Sequence, residues 1–275
     1  MILNYITWTV NPAIYSGVVD IRWYGLLFAI GFAIGYYIVN RMFRLEGKPT
    51  EWVDTLLIYL VIATLIGSRL GHCLFYQWDY YSQHPIDILK VWEGGLASHG
   101  GTIGIIIAMW IYSRRVTHTS ILWILDRICV PITLVGSLIR IGNLMNHELY
   151  GHATDAPWAF RFITNIPQWM NGAEPIFSVP SHPTQIYEAL TYLTLFVILI
   201  LMYRHKAYRR EGLLLGVFFI GTFLSRIFIE IIKNATVYMG GIGDSFKMGQ
   251  LLSIPFVIAG IWLVVRALRR PSTKG

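Results

Sequence analysis

Charge is scarce in this 275-residue chain: Asp, Glu, Lys and Arg together make up 13% of it. An average soluble domain carries about twice that share, and a water-facing surface roughly 25–35%. The scarcity excludes an ordinary water-soluble enzyme. Cysteine is scarcer still, with only Cys73 and Cys129, each inside an apolar run. Neither has a partner at metal-ligand spacing, so both read as small buried apolar side chains. There is no fixed repeat, which excludes collagen and coiled coil, and an aromatic content of 15% excludes a disordered chain. No basic segment precedes the first long apolar run, whose first positive residue is Arg22; the pattern lacks a cleavable signal peptide, and the first span is expected to be retained. What the chain has in abundance is apolar surface: 55% hydrophobic residues and a mean hydropathy of +0.54. It reads as an integral membrane protein.

A bilayer core of about 30 Å takes roughly 20 apolar residues as helix. Seven segments qualify or nearly do: 22–42, 52–76, 96–113, 121–139, 184–203, 212–233 and 248–268. Backbone groups in lipid must bond internally, so these are helices and the expected fold is all-α. The connections on one side hold Arg41, Arg44, Lys48, Arg114, Arg115, Arg204, Lys206, Arg209, Arg210, Arg266, Arg269, Arg270 and Lys274. The other side has Arg22, Lys90, Arg140, Arg161, Arg226, Lys233 and Lys247. That bias puts the C-terminus in the cytoplasm and the N-terminus outside. It also accounts for most of the net charge of +7, with no nucleic acid implied. Residues 140–183, rich in Trp, Pro, Asn and Gly, are expected to form a small extracytoplasmic cap of short helices and loops between spans four and five of one polytopic domain.

Ionisable groups in or beside lipid are costly and are functional candidates by default. Here they gather at the outer ends of the spans. Ser98-His99-Gly100-Gly101 opens the third span with an imidazole beside glycines that let a backbone come close; helix packing explains the same glycines equally well. Arg140 and Asn143 stand one helical turn apart, followed by Asn146 and Glu148, with Gly142 and Gly151 between and after them. A guanidinium offers a planar fork suited to two phosphate oxygens. Gln185 and Glu188, spaced i, i+3, project together from the fifth span, and an ionised Glu188 needs a cation partner. Arg226 and Glu230 are spaced i, i+4 on the sixth, and Gln250 lies on the seventh. Asp126 with Arg127, and Arg69 with His72, read as interhelical pairs locking the bundle. Tyr24 belongs to the aromatic belt, with a hydroxyl able to reach a headgroup. On these residues alone an enzyme and a transporter or flippase of an anionic lipid remain open. An intramembrane protease lacks a Ser/His or paired-Asp arrangement.

The stretch Arg140-Ile141-Gly142-Asn143-Leu144-Met145-Asn146-His147-Glu148-Leu149-Tyr150-Gly151 resembles, at every polar position, the signature of the bacterial prolipoprotein diacylglyceryl transferases. Arg22-Trp23-Tyr24-Gly25, Gly67-Ser68-Arg69-Leu70-Gly71, His99-Gly100-Gly101, His182 to Glu188, Ser225-Arg226 with Ile229-Glu230, and Gly249-Gln250 with Ser253 and Pro255 also resemble family motifs, in family order. Departures are Ile139 for a small residue, Leu144 for Phe, and Ile231-Ile232-Lys233-Asn234-Ala235 where the family commonly has an Arg and then Pro-Asp; Lys replaces a bidentate Arg poorly.

The resemblance implies transfer of the diacylglyceryl group of phosphatidylglycerol to the lipobox cysteine of a prolipoprotein. A thioether forms and glycerol-1-phosphate leaves, at the bacterial inner membrane, with the signal peptide entering sideways from the bilayer. No cofactor or metal is implied. Arg140 and Arg226 would clamp the phosphate and His99 would take the thiol proton. Glu148, Glu188 and Glu230 would orient the arginines, and Tyr24, Asn143 and Asn146 would hold glycerol or headgroup oxygens. Arg69, Gly100, Gly101, Gly151, Gln185 and Gln250 complete the expected substrate site.

Overall fold

The computed structural model describes residues 5–15, 20–90, 95, 97–233 and 248–270. Among the described residues, nine α-helices carry the fold: α1 (Trp23–Leu45), α2 (Glu51–Phe75), α3 (Trp78–Tyr81), α4 (Ser98–Tyr112), α5 (Ile121–Met145), α6 (Ile166–Met170), α7 (Thr184–Arg204), α8 (Leu213–Ile232) and α9 (Met248–Arg269). Six of them, α1, α2, α5, α7, α8 and α9, are long and apolar enough to cross a membrane. The segment read as a third span contains α4, whose 15 residues fall short of that length. Four short strands accompany the helices: β1 (Tyr5–Thr7), β2 (Ala13–Tyr15), β3 (Ile21–Arg22) and β4 (Ala159–Arg161). Large apolar side chains stay exposed along the helices, Ile58, Ile103, Phe228 and Trp262 among them, which suits a protein whose solvent is lipid.

The chain divides into two compact units, Met1–Gly35 with Ile128–Gly275, and Tyr36–Arg127. In the second, α2 and α4 meet through facing glycines. A Cβ on Gly67 would lie 2.6 Å from the Gly100 carbonyl oxygen, and one on Gly104 would lie 2.5 Å from that of Ala63. Only glycines spaced four apart on both helices let the backbones come this close. One end of this unit is tied by Arg127, whose Nε donates to Glu46 at 3.0 Å and whose guanidinium lies over the Trp123 ring. There too the Tyr112 hydroxyl donates to the Trp52 carbonyl at 2.6 Å. At the other end Arg69, 3% exposed, donates to the carbonyls of Ile88 and Asp87 at 2.9 and 2.6 Å. His72 meets the Gln77 side chain at 3.1 Å.

These contacts correct the expected interhelical pairs. Arg127 finds its carboxylate on Glu46, just beyond α1, and Arg69 serves as a clamp on the turn at Pro85–Leu89. In each case the partner lies in a connecting segment, and the helical periodicity of the spans carries no trace of it.

In the first unit, Gly31 of α1 sits against Val135 and Leu138, and Gly136 of α5 against the Tyr192 ring of α7. Gly216 and Gly260 bring α8 and α9 together, and Phe223 stacks on Phe256 with ring centres 4.3 Å apart. Beyond α5 the chain folds over a small core of Leu144, Phe160 and Phe162, with Trp8, Tyr150 and Ile186 packed on it. Besides the expected short helix and loops, this region holds a parallel ladder of β4 with β1. Three-residue strands about 150 residues apart are too short to show alternation in the sequence.

His147 locks this region. Its Nδ1 accepts the Ile163 N–H at 3.1 Å, which leaves the proton on Nε2 to donate to the Val10 carbonyl at 2.9 Å. Burial pushes the imidazole below its ordinary value of 6.5, with the Val10 bond opposing. Below about pH 6.5 the unfolded chain therefore binds the proton that the folded state resists. The contribution of His147 is complete above that pH and is lost as pH falls toward the depressed folded value. Hydrogen exchange at the Ile163 amide, corrected for intrinsic rate, is expected to report more frequent opening at about pH 5.5 than at about pH 7.5. His147→Gln should abolish the difference.

Candidate active site

Several polar residues of the first unit form one connected group, built on the C-terminal turn of α5. Arg140 leaves that helix with its Nη1 donating to Asn143 Oδ1 at 3.2 Å, as their one-turn spacing requires. The chain then turns sharply: His147 and Leu149 both take positive φ, 58° and 61°, a costly conformation for residues with a side chain. The two turns bracket Glu148 and swing its carboxylate back, where Oε1 accepts from Asn143 Nδ2 at 2.8 Å and Asn146 Nδ2 at 3.1 Å. Gln185, fully buried on α7, donates to the Glu148 carbonyl at 2.6 Å, and the Thr184 hydroxyl to that of Leu149 at 2.8 Å. The signature stretch is thus strapped to the start of α7.

Donation to the Glu148 carboxylate and carbonyl fixes which way the two outer amides face. Asn146 Oδ1 and Gln185 Oε1 are buried and have no hydrogen-bond partner among the described residues. Buried carbonyl oxygens without donors are uncommon and call for an explanation.

Glu188, one turn along α7 from Gln185 and 2% exposed, is held by two cations. Its Oε2 lies 3.1 Å from Arg140 Nε and 3.4 Å from Lys233 Nζ. A short antiparallel bridge between Gly151 and Lys233 and a bond from the His152 N–H to the Ile232 carbonyl at 2.8 Å pin the end of α8 there. A Cβ on Gly151 would lie 2.5 Å from that carbonyl oxygen and 2.8 Å from Thr184 Cγ2. Gly151→Ala must therefore push Lys233 away from Glu188. The expected outcome is a fall in thermal stability together with reduced activity, both checked on the purified variant.

Tyr192 lies on α7 one turn past Glu188, within electrostatic reach of both Arg140 and Arg226. Arg226 itself is exposed on α8. Glu230 faces α9, its carboxyl carbon 3.0 Å from where a Cβ on Gly249 would lie, and Gln250 donates to the Ile227 carbonyl at 3.1 Å. Tyr24 packs on the signature at Gly142, whose added Cβ would fall 2.9 Å from its ring.

Of the residues singled out in the sequence, Arg140, Asn143, Asn146, Glu148, Gln185 and Glu188 are joined by direct contacts, and Gly151 reaches them through Lys233. Tyr24, Arg226, Glu230 and Gln250 belong to the same unit. The other unit holds Arg69, His99, Gly100 and Gly101. His99 is exposed at the start of α4, against the rings of Phe75 and Tyr76. Gly100 is taken up by the contact with α2, and Gly101 lies in ordinary contact with Ser68.

Two members of the group escaped the sequence reading. Lys233 stood out only as a departure, although it follows Glu230 by three residues. Tyr192, inside an otherwise apolar run, was not singled out. The departing residues Asn234 and Ala235 lie outside the described residues.

A multi-pass helical membrane protein that gathers arginine, lysine, carboxylates and amides at the helix ends belongs to the class that handles polar or anionic groups at a membrane. The particular family follows from comparison: the chain belongs to the prolipoprotein diacylglyceryl transferase family, whose sequence model matches residues 12–266. It is similar to the phosphatidylglycerol–prolipoprotein diacylglyceryl transferase of Porphyromonas gingivalis, at 48% identity over 98% of this chain and 97% of the relative. The proteins of the same name from Tolumonas auensis and Chloroherpeton thalassium are 42% and 40% identical. The first comparison covers 94% of this chain and 96% of the relative, the second 97% and 96%.

Proposed function

We propose that this chain transfers the diacylglyceryl group of phosphatidylglycerol to the lipobox cysteine of a prolipoprotein, in the bacterial cytoplasmic membrane. The relatives' shared name supplies the donor, the acceptor and the transferred group. The observation that carries the reading into this chain is Glu188: one buried carboxylate gathers the Arg140 guanidinium and the Lys233 ammonium where the signature turn meets α7 and the end of α8. Positive charge away from bulk water is stabilised by an anion, and a lipid phosphate is the anion a membrane offers. The two unpartnered oxygens, Asn146 Oδ1 and Gln185 Oε1, fit the same lipid. They accept hydrogen bonds, and the headgroup glycerol of phosphatidylglycerol brings two hydroxyls to donate.

In the reaction, the cysteine sulfur forms a bond to the terminal glycerol carbon of the diacylglyceryl group as the bond from that carbon to the phosphate oxygen breaks. The electron pair leaves with the phosphate, and glycerol-1-phosphate departs. Arg140 and Arg226, both within electrostatic reach of Tyr192, stabilise the growing negative charge through charge-assisted hydrogen bonds. Glu148, Glu188 and Glu230 hold the arginines and the signature turn in place, while Tyr24, Asn143, Gly151 and Gln250 shape the lipid site.

A cysteine thiol with a pKa of about 8.5 is mostly protonated at neutral pH, so a base beside it accelerates attack. We infer that His99, an exposed imidazole, takes that role, with Arg69 steadying the same end of its unit. His99→Gln is expected to lower kcat about 10²-fold or more. Unchanged kcat between about pH 6 and 8 would remove His99 from proton transfer.

The proposed topology keeps seven spans, with α4 in the third, the N-terminus outside and the C-terminus cytoplasmic, as one polytopic domain capped by residues 140–183. Within residues 36–127, the Glu46–Arg127 and Trp52–Tyr112 contacts support it. They draw Arg41, Arg44, Lys48, Arg114 and Arg115 toward one end, the basic one expected in the cytoplasm. A transporter draws no support from Arg69 and Arg127, which are held by Asp87, Ile88 and Glu46.

The reading is tested by incubating the purified chain with phosphatidylglycerol and a lipobox peptide and weighing the peptide. A mass gain of one diacylglyceryl group, absent when the peptide cysteine is replaced by serine, is expected. An unmodified peptide would overturn it.

A further inference from the structure

A cavity of about 620 Å³ lies at the basic end of the unit formed by residues 36–127. It is lined by Trp110, Ser113, Arg114, His118, Thr119, Ser120 and Ile121, and no part of the proposed reaction uses it. Its size is that of a small-molecule site. No carboxylate lines it, while a guanidinium and an imidazole do.

The lining hydroxyls also suit an acceptor-rich ligand. Ser120 Oγ accepts the Leu122 N–H at 3.2 Å, which leaves its own O–H to donate elsewhere. Thr119 shares a hydrogen bond with Thr117 at 2.8 Å. The turn that builds the wall is irregular: a π-helical stretch, Ser113–Thr117, ends in His118 with a φ of 50°. Such π-turns recur at functional sites because they displace side chains from the helical path. Here Arg114 and His118 are both exposed.

The remaining walls are apolar, Trp110 from the last turn of α4 and Ile121 from the first of α5. An indole beside cationic and hydroxyl donors at the end of an apolar helix is the environment of a lipid headgroup, apolar on the acyl side and wet on the other. We propose that this cavity binds the phosphate of an anionic phospholipid in the leaflet that bears Arg41, Arg44 and Lys48. Arg114 and His118 contact the phosphate and Trp110 flanks the glycerol. The site is separate from the transfer reaction and does not depend on it.

The test uses the full chain in nanodiscs with a phosphatidic acid probe that carries a photoreactive group near the glycerol. Labelling is then mapped by mass spectrometry. The Trp110–Ile121 segment is expected to be labelled by this probe and much less by the phosphatidylcholine version. Arg114→Gln combined with His118→Gln should lower labelling there about tenfold, the effect of losing one or two charge-assisted bonds. Both residues are exposed and outside the reaction, so the transferase rate of the variant should stay at the wild-type value and shows that it is folded.

Equal labelling by both lipids, or wild-type labelling of the double variant, would overturn the proposal. So would displacement of the probe by inorganic phosphate as readily as by unlabelled phosphatidic acid, because the site would then serve a soluble phosphate.

Discussion

Replacing Arg140 with lysine is expected to lower kcat/KM by about 10²–10³-fold, the usual cost of losing an oriented donor at a developing oxyanion. Charge is conserved in this substitution, so only the fork is tested. The native guanidinium serves three tasks at once, since Nε meets Glu188, Nη1 meets Asn143 and the group reaches Tyr192. An ammonium on a flexible stem can satisfy Glu188, as Lys233 already does at 3.4 Å, but it cannot also hold Asn143 and a phosphate. Steady-state kinetics with the lipobox peptide checks this, and near-normal turnover would refute the clamp.

Glu188→Gln is expected to be the most destabilising single change in the group. The carboxylate is 2% exposed, and its two partners are 18% and 12% exposed. Removing it leaves two cations with little access to water, a loss of about 3–5 kcal/mol for a broken buried pair. A large drop in the thermal unfolding midpoint should follow. Adding Lys233→Met to the same variant removes one of the two cations that Glu188 held and should recover part of the loss. If the double variant is less stable than Glu188→Gln alone, Lys233 contributes through something other than the shared carboxylate.

Much of this was legible in the residues. Runs of about 20 apolar residues show themselves, and six of the seven expected segments became helices of spanning length. The glycines that open the third span read equally as helix packing or as room for a ligand, and Gly100 serves packing. The Arg140–Asn143 spacing and the need of Glu188 for a cation follow from helix geometry and from the cost of burying charge.

The hidden parts share a cause. Lys233, Glu46, Asp87 and Val10 each lie in or beside a connection, and each meets a partner far along the chain. Which carboxylate answers Arg127, or which carbonyl answers His147, is decided by where loops return, and local periodicity carries no information on that. The positive φ at Leu149 was equally out of view, since leucine is not of a type that favours it.

The arginine pair can be examined by determining the structure of the chain in a nanodisc of phosphatidylglycerol with the lipobox peptide absent, so that the lipid stays intact. The lipid phosphate should lie within hydrogen-bonding distance of both the Arg140 and Arg226 guanidiniums, with headgroup hydroxyls at Asn146 Oδ1 and Gln185 Oε1. A phosphate held by neither arginine, or the two guanidiniums serving separate sites, would contradict the clamp.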